Sequence, residues 1–111
     1  MPRYSSIDEV IASYPDRFNP SKAQGVDDKV QMNLSGEGGG QYVLHVHDGQ
    51  VDISEGEAED PTLTLNAPAD VWLSVENGQT NPMMAMMSGK VKLKGSVPFA
   101  TKFMGMFGGK G

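Results

Sequence analysis

Apolar residues near the start of the chain recur every three or four positions, which predicts an N-terminal helix. Ser6 precedes the pattern and is a suitable N-cap residue. We expect Pro15 either to end this helix or to sit in the first turn of a short continuation through Phe18. A loop rich in Asn, Pro and Gly follows, so residues 1–25 form an N-terminal helix and loop. The apolar positions are Ile7, Val10, Ile11 and Tyr14.

Strict alternation of apolar and polar residues then replaces the helical period and predicts three strands, over 30–34, 42–46 and 51–53. A glycine-rich link over 35–40 joins the first two. Asp48-Gly49, between the second and third, is a strong hairpin signal. These three strands are therefore predicted to form an antiparallel meander.

The second half of the chain mixes strands and helices. After an acidic loop, a fourth strand is predicted at 63–65, and a helix over 68–77 ends at Gly78. A short helix over 83–87 and a fifth strand over 90–94 follow. A closing helix starts at Pro98, and its glycine-rich end predicts that residues 108–111 fray. This order of elements predicts a single α+β domain over 1–111.

Charge is distributed unevenly along the chain. The net charge is −5, which argues against a nucleic-acid partner. Residues 1–77 carry −10, whereas 78–111 contain five lysines and no acidic residue. This basic segment suits docking to an anionic membrane surface, although a solvated strand face with a loose tail is an equal alternative. There is no cysteine, and no signal-peptide-like or membrane-spanning run, so we expect a cytoplasmic protein.

Several short motifs occur in a fixed order over residues 41–107. They are Asp48-Gly49, Gly56, Asp60-Pro61-Thr62-Leu63, Asn77-Gly78 and the specific segment 85–95, AMMSGKVKLKG. This series resembles the sterol carrier protein type 2 family of lipid-binding domains. It departs from the usual family residues at Tyr42, Met86 and Ser96, and the chain ends without a Ser-Lys-Leu peroxisomal address.

The resemblance implies a fold and a ligand class. The expected fold is a five-stranded, mostly antiparallel sheet with helices packed on one face, enclosing an apolar tunnel bordered by the C-terminal helix. The expected ligands are sterols, fatty acids, acyl-CoA or phospholipid, without a cofactor. We predict that the following side chains turn inward and contact lipid: Leu44, Val46, Leu65, Trp72, Val75, Met83, Met84, Met86, Met87, Leu93, Phe99, Phe103, Met104 and Phe107.

Methionine suits such a role because its flexible thioether adapts to ligands of different shape, so we expect broad specificity. Ordinary core packing is the alternative explanation of these residues. Four methionines within 83–87, however, cover more of a helix than one buried stripe needs. Together with the resemblance, this favours lipid contact.

Candidate catalytic groups are sparse. His45 and His47 share one face of a strand, a spacing compatible with zinc, but there is no third histidine. The acidic loop over 54–61 lacks a partner nucleophile, and the glycines over 36–40 lack the Lys and Ser/Thr of a phosphate loop. The leading hypothesis is a non-enzymatic lipid carrier, monomeric or dimeric. The alternatives are an interaction or dimerisation module associated with an enzyme of lipid metabolism, and metal-assisted hydrolysis at the histidine pair.

Overall fold

Four α-helices and five strands make up residues 4–107, the part of the chain that the computed structural model describes. The predicted fraying at 108–111 lies outside these residues. The elements are α1 (Ile7–Arg17), a 3-10 turn (Pro20–Lys22), β1 (Asp28–Ser35), β2 (Gly40–His47), β3 (Gln50–Glu55), β4 (Leu63–Pro68), α2 (Ala69–Glu76), α3 (Pro82–Met87), β5 (Lys92–Gly95) and α4 (Val97–Met106).

The five strands form one sheet in the order β3-β2-β1-β4-β5. The β1–β2–β3 meander is confirmed, and β4 also pairs antiparallel with β5. Only β1 and β4 run parallel, because the acidic connection after β3 crosses the sheet before β4 begins. The buried amide of Gln31 holds this connection, donating to the carbonyl of Gly56 at 3.0 Å and accepting from the amide of Ala58 at 2.6 Å. The sheet is therefore mostly antiparallel, as predicted.

The two faces of the sheet differ in polarity because side chains alternate along each strand. Inward residues such as Val30, Leu44 and Leu63 are 0–2% exposed and pack with the helices into one core. The outer face carries amides that bond to one another, for example Asn33 Nδ2 to Asn66 Oδ1 at 3.0 Å. The helices cover only the apolar face, which confirms the predicted α+β architecture.

Helix α1 continues through Pro15 to Arg17, so the alternative in which Pro15 ends it is wrong; the helix does continue almost to Phe18, but Pro15 lies in its last turn rather than in the first turn of a continuation. Proline removes one backbone donor and costs about 3 kcal/mol in a helix interior. Two contacts of Arg17 stabilise the last turn, one within α1 and one to α2. Arg17 donates to Ser13 Oγ at 3.1 Å and pairs with Glu76 of α2 at 3.0 Å.

Strand β5 starts at Lys92 rather than at residue 90. The backbone amides of Lys90 and Val91 instead donate to the carbonyl of Ala85, at 2.9 and 3.1 Å, and so extend the end of α3. Separately, no helix within residues 4–107 is long and apolar enough to cross a membrane.

Candidate functional site

A cavity of about 150 Å³ lies between the β4–β5 side of the sheet and helices α1, α2 and α4. We call it the inner cavity. Its wall is apolar except at one end, where α1 and α2 meet. The lining residues are Tyr14, Arg17, Met32, Leu63, Leu65, Trp72, Val75, Glu76, Leu93, Ala100, Phe103, Met104 and Phe107.

Helix α4 supplies an aromatic wall for this cavity. Ser96 caps the helix by accepting from the amide of Phe99 at 3.2 Å. Phe99, Phe103 and Phe107 then repeat every four residues on the buried side, with ring centroids 6.0 and 5.1 Å apart. Phe107 also contacts the ring of Tyr14 edge-on at 5.2 Å. The spacing that predicted this helix thus also places the rings of Phe103 and Phe107 against the cavity.

The polar end of the inner cavity is a closed hydrogen-bond network. Trp72 Nε1 donates to Tyr14 Oη at 3.0 Å, and Tyr14 Oη donates to Glu76 Oε2 at 2.7 Å. Glu76 Oε1 pairs with Arg17, whose guanidinium lies 4.9 Å from the Tyr14 ring centroid. Burial, reinforced by the charge of Glu76, raises the pKa of Tyr14 well above its ordinary value, so the phenol stays neutral. The network offers hydrogen-bonding groups to a polar head but contains no activated nucleophile.

The inner cavity brings together half of the side chains predicted to contact lipid. They are Leu65, Trp72, Val75, Leu93, Phe103, Met104 and Phe107. Leu44 and Val46 of β2 are 0% exposed; they lie in the core and do not line the cavity. Phe99, at 9% exposed, packs beside Phe103 without lining it.

Sequence reasoning missed six lining residues. Met32 and Leu63 continue the apolar alternation of their strands, and that signal was sufficient to find them. Ala100 faces inward one residue after Phe99. Tyr14, Arg17 and Glu76 had no local signal, because the contacts between α1 and α2 join residues about 60 positions apart.

The prediction that the methionines of α3 turn inward is wrong. Met83, Met84 and Met87 are 65%, 67% and 82% exposed, and Met86 is 37% exposed. The helix is only six residues long and buries a single side chain, Ala85. Because so short a helix touches the rest of the fold along one line, its other side chains point to solvent. Met104 of α4 borders the inner cavity but is also 41% exposed.

A second depression, which we call the edge groove, runs along β5 between α3 and α4 and has a volume of about 580 Å³. Leu63, Leu93 and Ala100 line both the edge groove and the inner cavity. These three side chains are therefore the wall between the two spaces. The other lining residues of the groove are Asn66, Met86, Val91, Lys92, Lys94, Gly95 and Ser96.

A family model described as the SCP-2 sterol transfer family matches residues 7–108, nearly the whole chain. The chain belongs to this family. Lipid binding is therefore the function of this domain, as the resemblance in the sequence implied, and SCP-2 domains bind lipid rather than carry out catalysis. The inner cavity is the candidate site for that lipid.

Curated proteins resemble this chain in sequence, and solved structures resemble it in fold. Hydroxysteroid dehydrogenase-like protein 2 of Mus musculus is 28% identical over 102 residues, which are 91% of this chain and 21% of that protein. Palmitated SCP2L2 from Aedes aegypti superposes with a TM-score of 0.75 at 20% identity, over 92% of this chain and 94% of that one. The sec-alkylsulfatase Pisa1 from Pseudomonas sp. gives a TM-score of 0.79 at 17% identity, over 96% and 17%. The chain spans about a fifth of the mouse relative.

The histidine pair of this SCP-2 domain lies on the outer face of the sheet, away from the inner cavity. The rings of His45 and His47 stack at 4.2 Å. Carboxylates of Asp52 and Asp48 lie 2.6 and 3.1 Å from the two ring nitrogens of His47, and Asp27 lies 2.8 Å from His45 Nε2. Hydrogen bonds to Asp52 and then to Asp48 raise the pKa of His47. Both ring nitrogens of His47 therefore bond to carboxylates, and within residues 4–107 no group of three His, Cys, Asp or Glu side chains is arranged to hold a metal ion.

Proposed function

We propose that this SCP-2 domain takes the hydrocarbon part of an amphiphilic lipid into the inner cavity and carries it without chemical change. The observation that supports the proposal is the wall formed by β4, α2 and α4. There Leu65, Trp72 and Phe103 are 4–6% exposed and yet border an unfilled space. Such a space gains free energy when a chain fills it, about 0.8 kcal/mol for each buried CH₂ group.

The inner cavity has to expand to hold a whole lipid. Its volume of about 150 Å³ suits a benzene-sized group, whereas ligand sites for larger molecules span about 300–1,000 Å³. The wall of Leu63, Leu93 and Ala100 separates it from the edge groove, so an outward movement of α4 would join the two spaces. Backbone bonds hold this helix at each end, from Ser96 to Thr62 at 3.3 Å and from Asn19 to Met106 at 2.8 Å.

The polar end of the cavity suits the head of a single-chain lipid. Among residues 4–107, Arg17 is the one cation that lines the inner cavity, and its side chain is 23% exposed. An oxygen of the lipid head can take the place of Glu76 Oε1 as the partner of Arg17. The hydrogen bonds from Trp72 to Tyr14 and from Tyr14 to Glu76 Oε2 remain. The related palmitated SCP2L2 supports an acyl chain as the ligand, and the unbranched side chain of Met104 favours tolerance of several chain shapes.

A second proposal concerns the role of the domain beside an enzyme. The mouse relative and Pisa1 are about five and six times as long as the matched segment. Related domains therefore occur within larger proteins, one of them a sulfatase. This supports a role in which the domain presents lipid to an associated enzyme.

Delipidated protein titrated with a fluorescent fatty acid tests the carrier proposal. We expect saturable one-to-one binding with a micromolar or lower dissociation constant, which requires about 8 kcal/mol net. Unlabelled fatty acid, sterol and lysophospholipid should then compete to different degrees. An Ala100→Trp variant, which fills the shared wall, should bind at least tenfold more weakly, whereas Val46→Ile should bind normally. The absence of saturable binding for every lipid class would refute the proposal.

A further inference from the structure

Residues 4–107 expose five large hydrophobic side chains, and all five are methionines. Four belong to α3, and we call Met83, Met84, Met86 and Met87 the methionine face. Single exposed apolar residues are common on soluble proteins, but four neighbours on one short helix form a patch, and such patches mark contact surfaces. Since only Ala85 of α3 is buried, these methionines contribute little to the core.

Positive charge adjoins the methionine face. Lys90, Lys92 and Lys94 follow α3 directly and are exposed, and Lys102 is exposed on α4. No Asp or Glu occurs in the sequence after residue 77. None of these lysines pairs with a carboxylate within residues 4–107. The surface therefore carries positive charge without local compensation.

The sheet order places acidic residues at the opposite edge. Strand β5 is one edge and β3 the other, with β2, β1 and β4 between them. Four strand spacings of about 4.8 Å put roughly 19 Å between the two edge strands. Asp48, Asp52 and Glu55 belong to the β3 edge and its turn. A negatively charged surface thus attracts one edge of the molecule and repels the other.

We propose that α3 and β5 dock onto an anionic lipid bilayer, with the methionine face entering the headgroup region and Lys90, Lys92 and Lys94 contacting lipid phosphates. The inference rests on the proposed lipid-carrier function, because docking in this orientation brings the edge groove, and through its shared wall the inner cavity, to the membrane. Met86 belongs to both the methionine face and the groove. A second copy of the chain is a poorer occupant, since two-fold pairing would place like-charged lysines against each other.

Vesicle co-sedimentation tests the charge contribution. Vesicles of phosphatidylcholine alone are compared with a four-to-one mixture of phosphatidylcholine and phosphatidylserine, at low and high salt. Each near-surface lysine contributes on the order of fivefold in partitioning, so Lys90→Gln/Lys92→Gln/Lys94→Gln should weaken binding to the mixture by roughly 100-fold at low salt. Lys22→Gln, an exposed lysine outside the basic segment, is the matched control and should have little effect.

Site-specific fluorescence tests the orientation and does not depend on a destabilising change. Because the chain has no cysteine, Met84→Cys and Ser54→Cys each accept one polarity-sensitive label. Residue 54 is exposed on β3, at the opposite edge. We expect a blue shift at position 84 with the phosphatidylserine mixture only, and none at position 54.

Three results would overturn the inference: equal binding to neutral and anionic vesicles, no response at position 84, or a dimer that Met84→Gln dissociates. Fatty-acid binding without vesicles is measured for every variant and separates the two proposals. Normal fatty-acid binding without docking to vesicles contradicts only the proposed membrane-docking surface. Docking without fatty-acid binding contradicts only the carrier function.

Discussion

Replacing Phe103 with alanine tests whether the inner cavity is the lipid site. Phe103 is 6% exposed, lines the cavity and contacts the rings of Phe99 and Phe107. Removing its ring leaves a void that is continuous with the cavity. A bound hydrocarbon chain can fill this void, whereas the lipid-free variant leaves it empty.

The expected loss of stability without lipid is about 3–5 kcal/mol, the range for a buried Phe→Ala change. The free energy of unfolding of a domain of this size is about 5–15 kcal/mol, so the variant should remain folded. Phe103→Leu is a milder substitution at the same position. Lipid at 100 times its dissociation constant raises the free energy of unfolding of the wild-type protein by about 2.7 kcal/mol. The variant should gain more at the same lipid concentration, because refilling the void recovers about 24 cal/mol per Å³.

Urea denaturation with and without a saturating fatty acid measures both quantities. Leu44→Ala is the matched control, since Leu44 is 0% exposed on the same face of the sheet but does not line the cavity. Its free energy of unfolding should fall by about 2–5 kcal/mol without lipid, and lipid should raise it by no more than it raises that of the wild type. Equal gains from lipid in the two variants, or a smaller gain in Phe103→Ala, would refute the assignment of the cavity.

Three further substitutions test individual contacts. Tyr14→Phe leaves the indole N–H of Trp72 buried without its acceptor and should cost about 1–3 kcal/mol in urea denaturation; an unchanged midpoint would contradict the network. His47 has a raised pKa in the fold, so its stabilising contribution is complete below its unfolded pKa of 6.5 and is lost as pH rises through the folded value. His47→Gln should therefore lower the melting temperature more at pH 5 than at pH 9, and the same decrease at both would refute this linkage. Pro15→Ala restores a donor to the Ile11 carbonyl inside α1 and should raise the melting temperature; a decrease would show that the helix needs its proline.

The sequence predicted the elements wherever one local pattern was sufficient. Alternation located the strands, and Leu63 and Leu65 face inward as the alternation requires. Gly78 has a φ of +77°, in agreement with the predicted end of α2. The four-residue repeat of α4 placed Phe103 and Phe107 at the cavity. In each of these cases the pattern within the element itself was enough to show where the element ends or which of its side chains are buried.

Contacts between distant segments were not predictable in this way. Helix α3 is almost entirely apolar, so its sequence has no polar face that would show which side meets solvent. The exposure of its methionines is decided by how the helix packs on the rest of the fold, which buries only Ala85. The pairing of Arg17 with Glu76 joins residues 59 positions apart and also holds the turn after Pro15. Half of the candidate site was therefore predicted from the sequence, whereas its polar end required the packing of α1 against α2.

The most direct test of the central claim is the position of a bound fatty acid, measured by isotope-filtered NOEs between unlabelled lipid and protein with labelled Leu, Val and Met methyl groups. We predict contacts from the acyl chain to Leu65, Leu93 and Met104, which line the inner cavity, and none to Leu44. Contacts confined to the exposed methyl groups of Met83 and Met87, or no intermolecular contacts at saturating lipid, would contradict the account.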